Sequence, residues 1–185
     1  MRILGVDPGS IVTGFGIIDE KDNKPFVIEY GIIRLAPKSP LTLRLKEIYD
    51  GIISLIDKYH PECLSIETAF YGKNIQSTLK LGQARGVVII AALNSGLEVS
   101  EYSPREIKKS VTDSGASSKL AVMNYVKAIL SMKESPRYID SSDALAAAMC
   151  HFFNKNNFIT SHTGQKNSKK SWAKFIEQNK NIVLK

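Results

Sequence analysis

Four acids sit where the surrounding pattern asks for something else. Asp7 and Glu67 each close a short apolar run, ILGVD and CLSIE, and Asp140 and Asp143 fall three residues apart at the start of IDSSDALAAAM. A carboxylate at the end of a buried strand costs several kcal/mol to desolvate unless something neutralises it. On a helix, the i, i+3 spacing puts two carboxylates on one face with Cβ atoms about 5–6 Å apart. Four hard oxygen donors brought together repel one another and suit Mg2+ or Mn2+. Two such ions about 3.5–4 Å apart can activate a water and stabilise the leaving oxygen of an in-line phosphodiester displacement. The chemistry open to these residues is therefore that of a nuclease.

Each acid alone also has an ordinary reading. Asp7 in DPGS can bond its own backbone in a turn, Glu67 can pair with a lysine, and Asp140 with Asp143 fits the N-cap and N3 positions of a capping box. The joint occurrence favours a site. No H-x-x-H, cysteine cluster, Walker loop or Ser/His/Asp pattern competes, since the histidines are His60, His151 and His162. His151 reads as a core or surface histidine rather than a ligand. Cys63 and Cys150 lie far apart in apolar surroundings and read as reduced core thiols.

The elements that must position the acids follow from periodicity. Arg2 to Asp7 and Thr13 to Asp19 flank the turn Pro8-Gly9-Ser10, and Phe26 to Leu35 follows the polar turn at Lys21 to Lys24, giving a three-strand antiparallel meander. The glycines beside Asp7 would keep the hairpin clear for a substrate phosphate. Ser39 as N-cap and Pro40 at the first helical position open a helix carrying Leu41, Leu45, Ile48, Ile52, Leu55 and Tyr59. Cys63 to Glu67 is a buried strand, and a helix from Asn74 to Asn94 stops at Ser95-Gly96, where glycine can take a left-handed cap. Leu97 to Tyr102 is a fifth strand. Further helices open at Ser103-Pro104, run from Lys119 to Met132 with Leu120, Met123, Val126 and Leu130 on one face, and cover Ser141 to Phe153. The small residues of the last one permit close packing on a sheet. The predicted fold is an α/β, five-stranded mixed sheet with helices on both faces.

At 185 residues with 43% hydrophobic and 23% charged positions, the chain supports one domain with a sizeable core. The longest apolar run, Gly86 to Leu93, is far below the roughly 20 residues of a membrane span, so no membrane association and a cytoplasmic location are expected. The formal charge of +7 is uneven. From Lys155 onward seven lysines face one acid, Glu177, a net of +6, while residues 1–154 hold 18 Lys and Arg against 17 Asp and Glu. Residues 1–154 are therefore read as the domain and 155–185 as a basic tail, mobile or weakly helical around Trp172, Phe175 and Ile176.

The blocks GVDPGS, TGFGIID, SIETAFYGKN, STLKLGQARG, EYSPREIKK and IDSSDALAAAMCH, in that order from Met1 to Phe153, resemble the RuvC family of bacterial Holliday-junction resolvases. The resemblance implies an RNase H-like fold, a homodimer, Mg2+ dependence, and paired symmetric nicks in the continuous strands of a four-way DNA junction. It places the acidic quartet on Asp7, Glu67, Asp140 and Asp143. Some members carry His at the third position, where this chain has Asp. It places junction-binding lysines on Lys108 and Lys119, with Lys109 an alternative to the first, and an aromatic on Phe70, beside Tyr71. Lysines there can hold phosphates, and an exposed ring can stack on a base. Gly82 and Gly86, one turn apart, fall on the helix that makes dimer contacts in the family; a helix lying tight on the sheet would explain them equally. RuvA and RuvB are partners by resemblance alone.

Two other function classes fit parts of the pattern. A non-catalytic DNA-binding module would use the acids as caps and turns. An actin-like ATPase or sugar kinase shares an acidic first strand and a Gly-rich hairpin, but needs two such lobes.

Overall fold

The computed structural model describes residues 1–68 and 74–162, with residues 156–162 described as helical backbone only. Phe70, Tyr71 and the tail aromatics lie outside the described residues. One five-stranded sheet is formed by β1 (Ile3–Asp7), β2 (Val12–Lys21), β3 (Lys24–Arg34), β4 (Cys63–Glu67) and β5 (Glu98–Tyr102), in the order β3-β2-β1-β4-β5. The first three strands are antiparallel, and β4 and β5 run parallel to β1. The mixed sheet expected from the periodicity is present. β2 and β3 reach further than expected, to Lys21 and Lys24, because Asp22 and Asn23 both take positive φ (54° and 59°). That is the two-residue hairpin turn whose twist suits antiparallel strands.

Helices α1 (Leu41–Tyr59) and α2 (Ile75–Asn94) cover one face, and α3 (Pro104–Thr112), α4 (Lys119–Ile129) and α5 (Ile139–His162) the other. Strand alternation feeds both cores. Leu4, Val6, Leu64 and Ile66 pack with α1 and α2, whereas Ile3 and Cys63 pack with α5. Cys63 and Cys150 are buried free thiols, both pushed up to about 11 by burial, and so stay protonated and inert.

Several local expectations are corrected. The N-cap of α1 is Pro40, with no side-chain cap, because Ser39 closes a turn onto Ala36 O. Of the expected face of α1, Ile48 and Ile52 are fully buried and Leu45, Leu55 and Tyr59 pack half-buried on the same core; Arg44 and Ile56 join the buried stripe and Leu41 does not. Leu120 is exposed, and the inner face of α4 is Val122 and Val126 with Leu130 at its C-cap. The Gly96 stop forms as expected, at φ 77°, with Gly96 and Leu97 N–H donating to Leu93 and Ala92 carbonyls. α5 starts two residues earlier than expected and runs on to His162.

Of the glycines near Asp7, Gly5 and Gly14 make room for the helix, while Gly9 makes room within the turn itself, where a Cβ would lie 2.0 Å from Val12 O. A Cβ on Gly5 would lie 2.1 Å from Ala144 O, and one on Gly14 would lie 2.0 Å from Asp140 O. Bare strands thus let the backbone of α5 rest directly on β1 and β2.

Candidate active site

Asp7 is the last residue of β1, and Glu67 the last of β4. These strands are parallel neighbours paired Val6 with Ile66, so the two acids stand level at adjacent strand ends. Both share the strand face of Gly5 and Ser65, which is the face under α5: Ser65 Oγ donates to Ala147 O at 2.6 Å. α5 begins at Ile139 and is seated on Gly14, which pairs with Asp7 across the hairpin. Its first turns therefore bring Asp140 and Asp143 over the end of β1.

The electrostatics report the same convergence. Burial, followed by the charges of Glu67, Asp143 and Asp140, pushes the Asp7 carboxyl up to about 8. Burial and then Asp143 also raise Glu67, while Lys119 and Lys108 oppose the rise. Such desolvated, mutually repelling carboxylates are relieved by a cation. The donor set is all hard oxygen and fits a divalent ion of the Mg2+ type, although among the described residues no three of these groups converge closely enough to hold one ion as they stand.

The ordinary readings of the acids fail on geometry. Among the described residues no hydrogen bond reaches the Asp7 carboxylate, and the hairpin turn is instead tied by Thr13 Oγ1, which donates to Gly9 O at 2.9 Å. Asp140 lies inside the first turn of α5 and is not its N-cap; Ser141 Oγ and Ser142 N–H turn back to Tyr138 O. Glu67 makes no ion pair among the described residues. The lysine partner belongs to Asp143: Lys119 Nζ sits 2.7 Å from its Oδ2.

Lys108, Lys119, Glu67 and Asp143 line one small cavity of about 110 Å3. Lys109 is not among the residues lining that cavity and instead lines a separate depression with Arg105 and Asp113. Gly82 and Gly86 lie on the outer side of α2, with nothing within 4 Å of a Cβ built on either, so they do not press on the sheet. His151 is a core histidine: Nδ1 meets Tyr102 OH at 2.9 Å, and burial lowers its pKa.

Two supporting residues escaped the sequence reading. Ser65 ties β4 to α5, and its only signal was a small polar residue inside CLSIE. Arg44, buried on α1, donates from Nη1 to Ser10 O at 2.5 Å and so holds the hairpin beside Asp7. Its signal was a charge four residues before Ile48 on the apolar stripe.

The strand order and the helix that closes over β1 define an RNase H-like nuclease fold. A sequence profile described as "Crossover junction endodeoxyribonuclease RuvC" matches residues 3–151. The chain belongs to the RuvC family of crossover junction endodeoxyribonucleases, a metal-dependent nuclease family. It is 47% identical over 186 residues to the Chloroherpeton thalassium member, covering 100% of both chains, and 41% identical over 181 residues to that of Cytophaga hutchinsonii, covering 98% of this chain and 87% of that one. The Thermus thermophilus RuvC solved in complex with Holliday junction substrate superposes with TM-score 0.79 at 29% identity, covering 85% of this chain and 96% of that one. Family membership decides for a nuclease against the binding module and the ATP-binding lobe. Among the described residues no helix is long and apolar enough to cross a membrane.

Proposed function

We propose that this chain resolves Holliday junctions by paired, symmetric, metal-dependent nicks, with Asp7, Glu67, Asp140 and Asp143 as the catalytic, metal-holding quartet. The observation that carries this reading is the Asp7 carboxyl, pushed up to about 8 by burial and by the three other acids. Asp7 and Glu67 approach from the sheet, and Asp140 and Asp143 from α5. When bound, two divalent cations, Mg2+ or Mn2+, supply water activation and stabilisation of the leaving oxygen.

The residues of the chain do the rest. Lys119 neutralises Asp143 while no cation is held, then turns to a backbone phosphate; Lys108, in the same cavity, holds a phosphate beside it. Phe70 and Tyr71, in the stretch after Glu67, are assigned to stacking on or wedging beside a base at the junction. Two opposed strands require two sites, and a two-fold homodimer supplies them. Its interface is assigned to the outer face of α2, where Ile75, Leu79, Ile90 and Leu93 are exposed in line with Gly82 and Gly86. A complex with RuvA and RuvB, a cytoplasmic location, and a basic tail outside the nuclease domain complete the reading.

The test uses a mobile four-way junction and a linear duplex, each with and without Mg2+. Wild-type protein nicks the junction symmetrically only with metal, and Asp7→Asn binds it without nicking. Near wild-type cutting by Asp7→Asn overturns the assignment of the quartet.

A further inference from the structure

The lysines assigned to phosphate contact stand on one flank of the acids only. Across the active end of the sheet the strands run β3, β2, β1, β4, β5, with Asp7 and Glu67 on the central pair and α3, which carries Lys108, following β5. The opposite flank ends in Arg34, the last residue of β3, which pairs with Val12 at the start of β2. Leu35 N–H then donates to Ile11 O at 3.0 Å, fixing the end of β3 beside the hairpin that carries Asp7.

A second guanidinium meets Arg34 there. Arg34 Cζ lies 5.6 Å and Arg137 Cζ 5.7 Å from the centroid of one ring, that of Tyr138. Tyr138 is itself held, since its carbonyl takes Ser141 Oγ at 2.7 Å, and it lies two residues before Asp140. Both arginines are exposed, and among the described residues neither pairs with a carboxylate. Two like charges collected on one ring, without an acid to balance them, form a ready seat for an anion. Arginine offers planar, bidentate donors that suit phosphate oxygens.

We infer that Arg34 and Arg137, ordered by the Tyr138 ring, bind a backbone phosphate of the DNA strand on the β3 side of the acids, opposite Lys108 and Lys119. This rests on the nuclease reading above. The strand that is cut is then held from both sides, with the repelling acids between two cationic supports. A hold on both sides of the cut keeps the reacting phosphate in line when the strand bends at a junction.

The experiment measures binding of full-length protein to a fluorescent immobile four-way junction in EDTA, across a series of salt concentrations. The Arg34→Gln/Arg137→Gln variant is expected to bind at least about tenfold more weakly at moderate salt, with the log–log salt slope reduced by about 1 to 2. The Arg34→Lys/Arg137→Lys variant, which keeps the charges, recovers most of the slope. Lys58→Gln, which removes a cation 4.8 Å from the Tyr59 ring at the other end of the sheet, leaves the slope unchanged. An unchanged slope in the Gln variant overturns the inference. So does weakened binding that follows a lowered Tm and is not recovered by the Lys variant. A wild-type protein that binds junctions but never nicks them with Mg2+ overturns the nuclease reading instead, and leaves the slopes to decide this one.

Discussion

Lys119 Nζ lies 2.7 Å from Asp143 Oδ2, so a side chain predicted to hold DNA is engaged with one of the acids predicted to hold metal. The bond to Asp143 raises the Lys119 pKa, with the charges of Asp143, Asp7 and Glu67 acting in the same direction. On the proposed metal-holding role of Asp143, the lysine and a divalent cation compete for the same carboxylate.

That competition predicts opposite effects in two assays. Lys119→Met should lower the Mg2+ concentration needed for half-saturation, measured by calorimetry, by about three- to tenfold, because Asp143 loses its internal partner. Junction cutting at saturating Mg2+ should fall by about 10- to 100-fold, because the phosphate loses its contact. A rise in the Mg2+ requirement would show that Lys119 assists the metal rather than competing with it.

The raised Asp7 carboxyl predicts a pH dependence of stability. Its ordinary value is 3.8 and its folded value about 8, so between these the folded chain keeps a proton that the unfolded chain has released. Stability from this group is complete below pH 4 and is lost as pH rises toward 8. In EDTA, Asp7→Asn should match the wild-type Tm near pH 4 and exceed it by a margin that grows up to pH 8, where the effect reaches about 5 kcal/mol. Because a bound cation displaces this proton, wild-type Mg2+ affinity should rise by up to about tenfold per pH unit from pH 6 to 8.

Glycines at two kinds of position should respond in opposite directions. Gly14→Ala places a Cβ 2.0 Å from Asp140 O, a backbone atom that cannot turn aside. The variant should lose about 1–3 kcal/mol and most of its cutting, since α5 lifts with both its acids. Gly82→Ala meets nothing within 4 Å and should raise stability by about 0.5–1 kcal/mol. Thermal melts with cutting rates on the folded fraction distinguish the two.

The exposed stripe on α2 predicts an assembly that can be broken. Leu79→Glu/Ile90→Glu should sediment as a monomer at micromolar concentration with an unchanged circular dichroism spectrum. Its products should change from paired to single nicks. A variant that remains dimeric would move the interface elsewhere.

The strand ends carrying Asp7 and Glu67 were legible because an acid breaks an apolar run at one position, and strand geometry does the rest. Gly96 was legible for a similarly local reason, since a helix stop needs its left-handed φ. The bed for α5 was not. Gly5, Gly14 and Gly16 give no local sign of it, because the atoms they make room for, on Asp140, Ala144 and Leu145, lie more than a hundred residues away. Arg44 was passed over because one charge on an apolar stripe looks like a solvated edge until Ser10 O is seen above it. The capping-box alternative at Asp140 and Asp143 fits the spacing alone: Ile139 is already helical, so the pair sits two residues deeper than a cap would.

The contact between α5 and the glycine strands has a further effect on how the enzyme can vary. Where a helix rests on a sheet through interleaved side chains, each substitution in that layer changes the gap between them. Here the gap is set by backbone against backbone at Gly5 and Gly14, so the separation between the acids of the sheet and those of the helix behaves as a fixed gauge. Sequence drift elsewhere in the two cores can then alter how firmly the chain folds without altering the spacing its chemistry depends on.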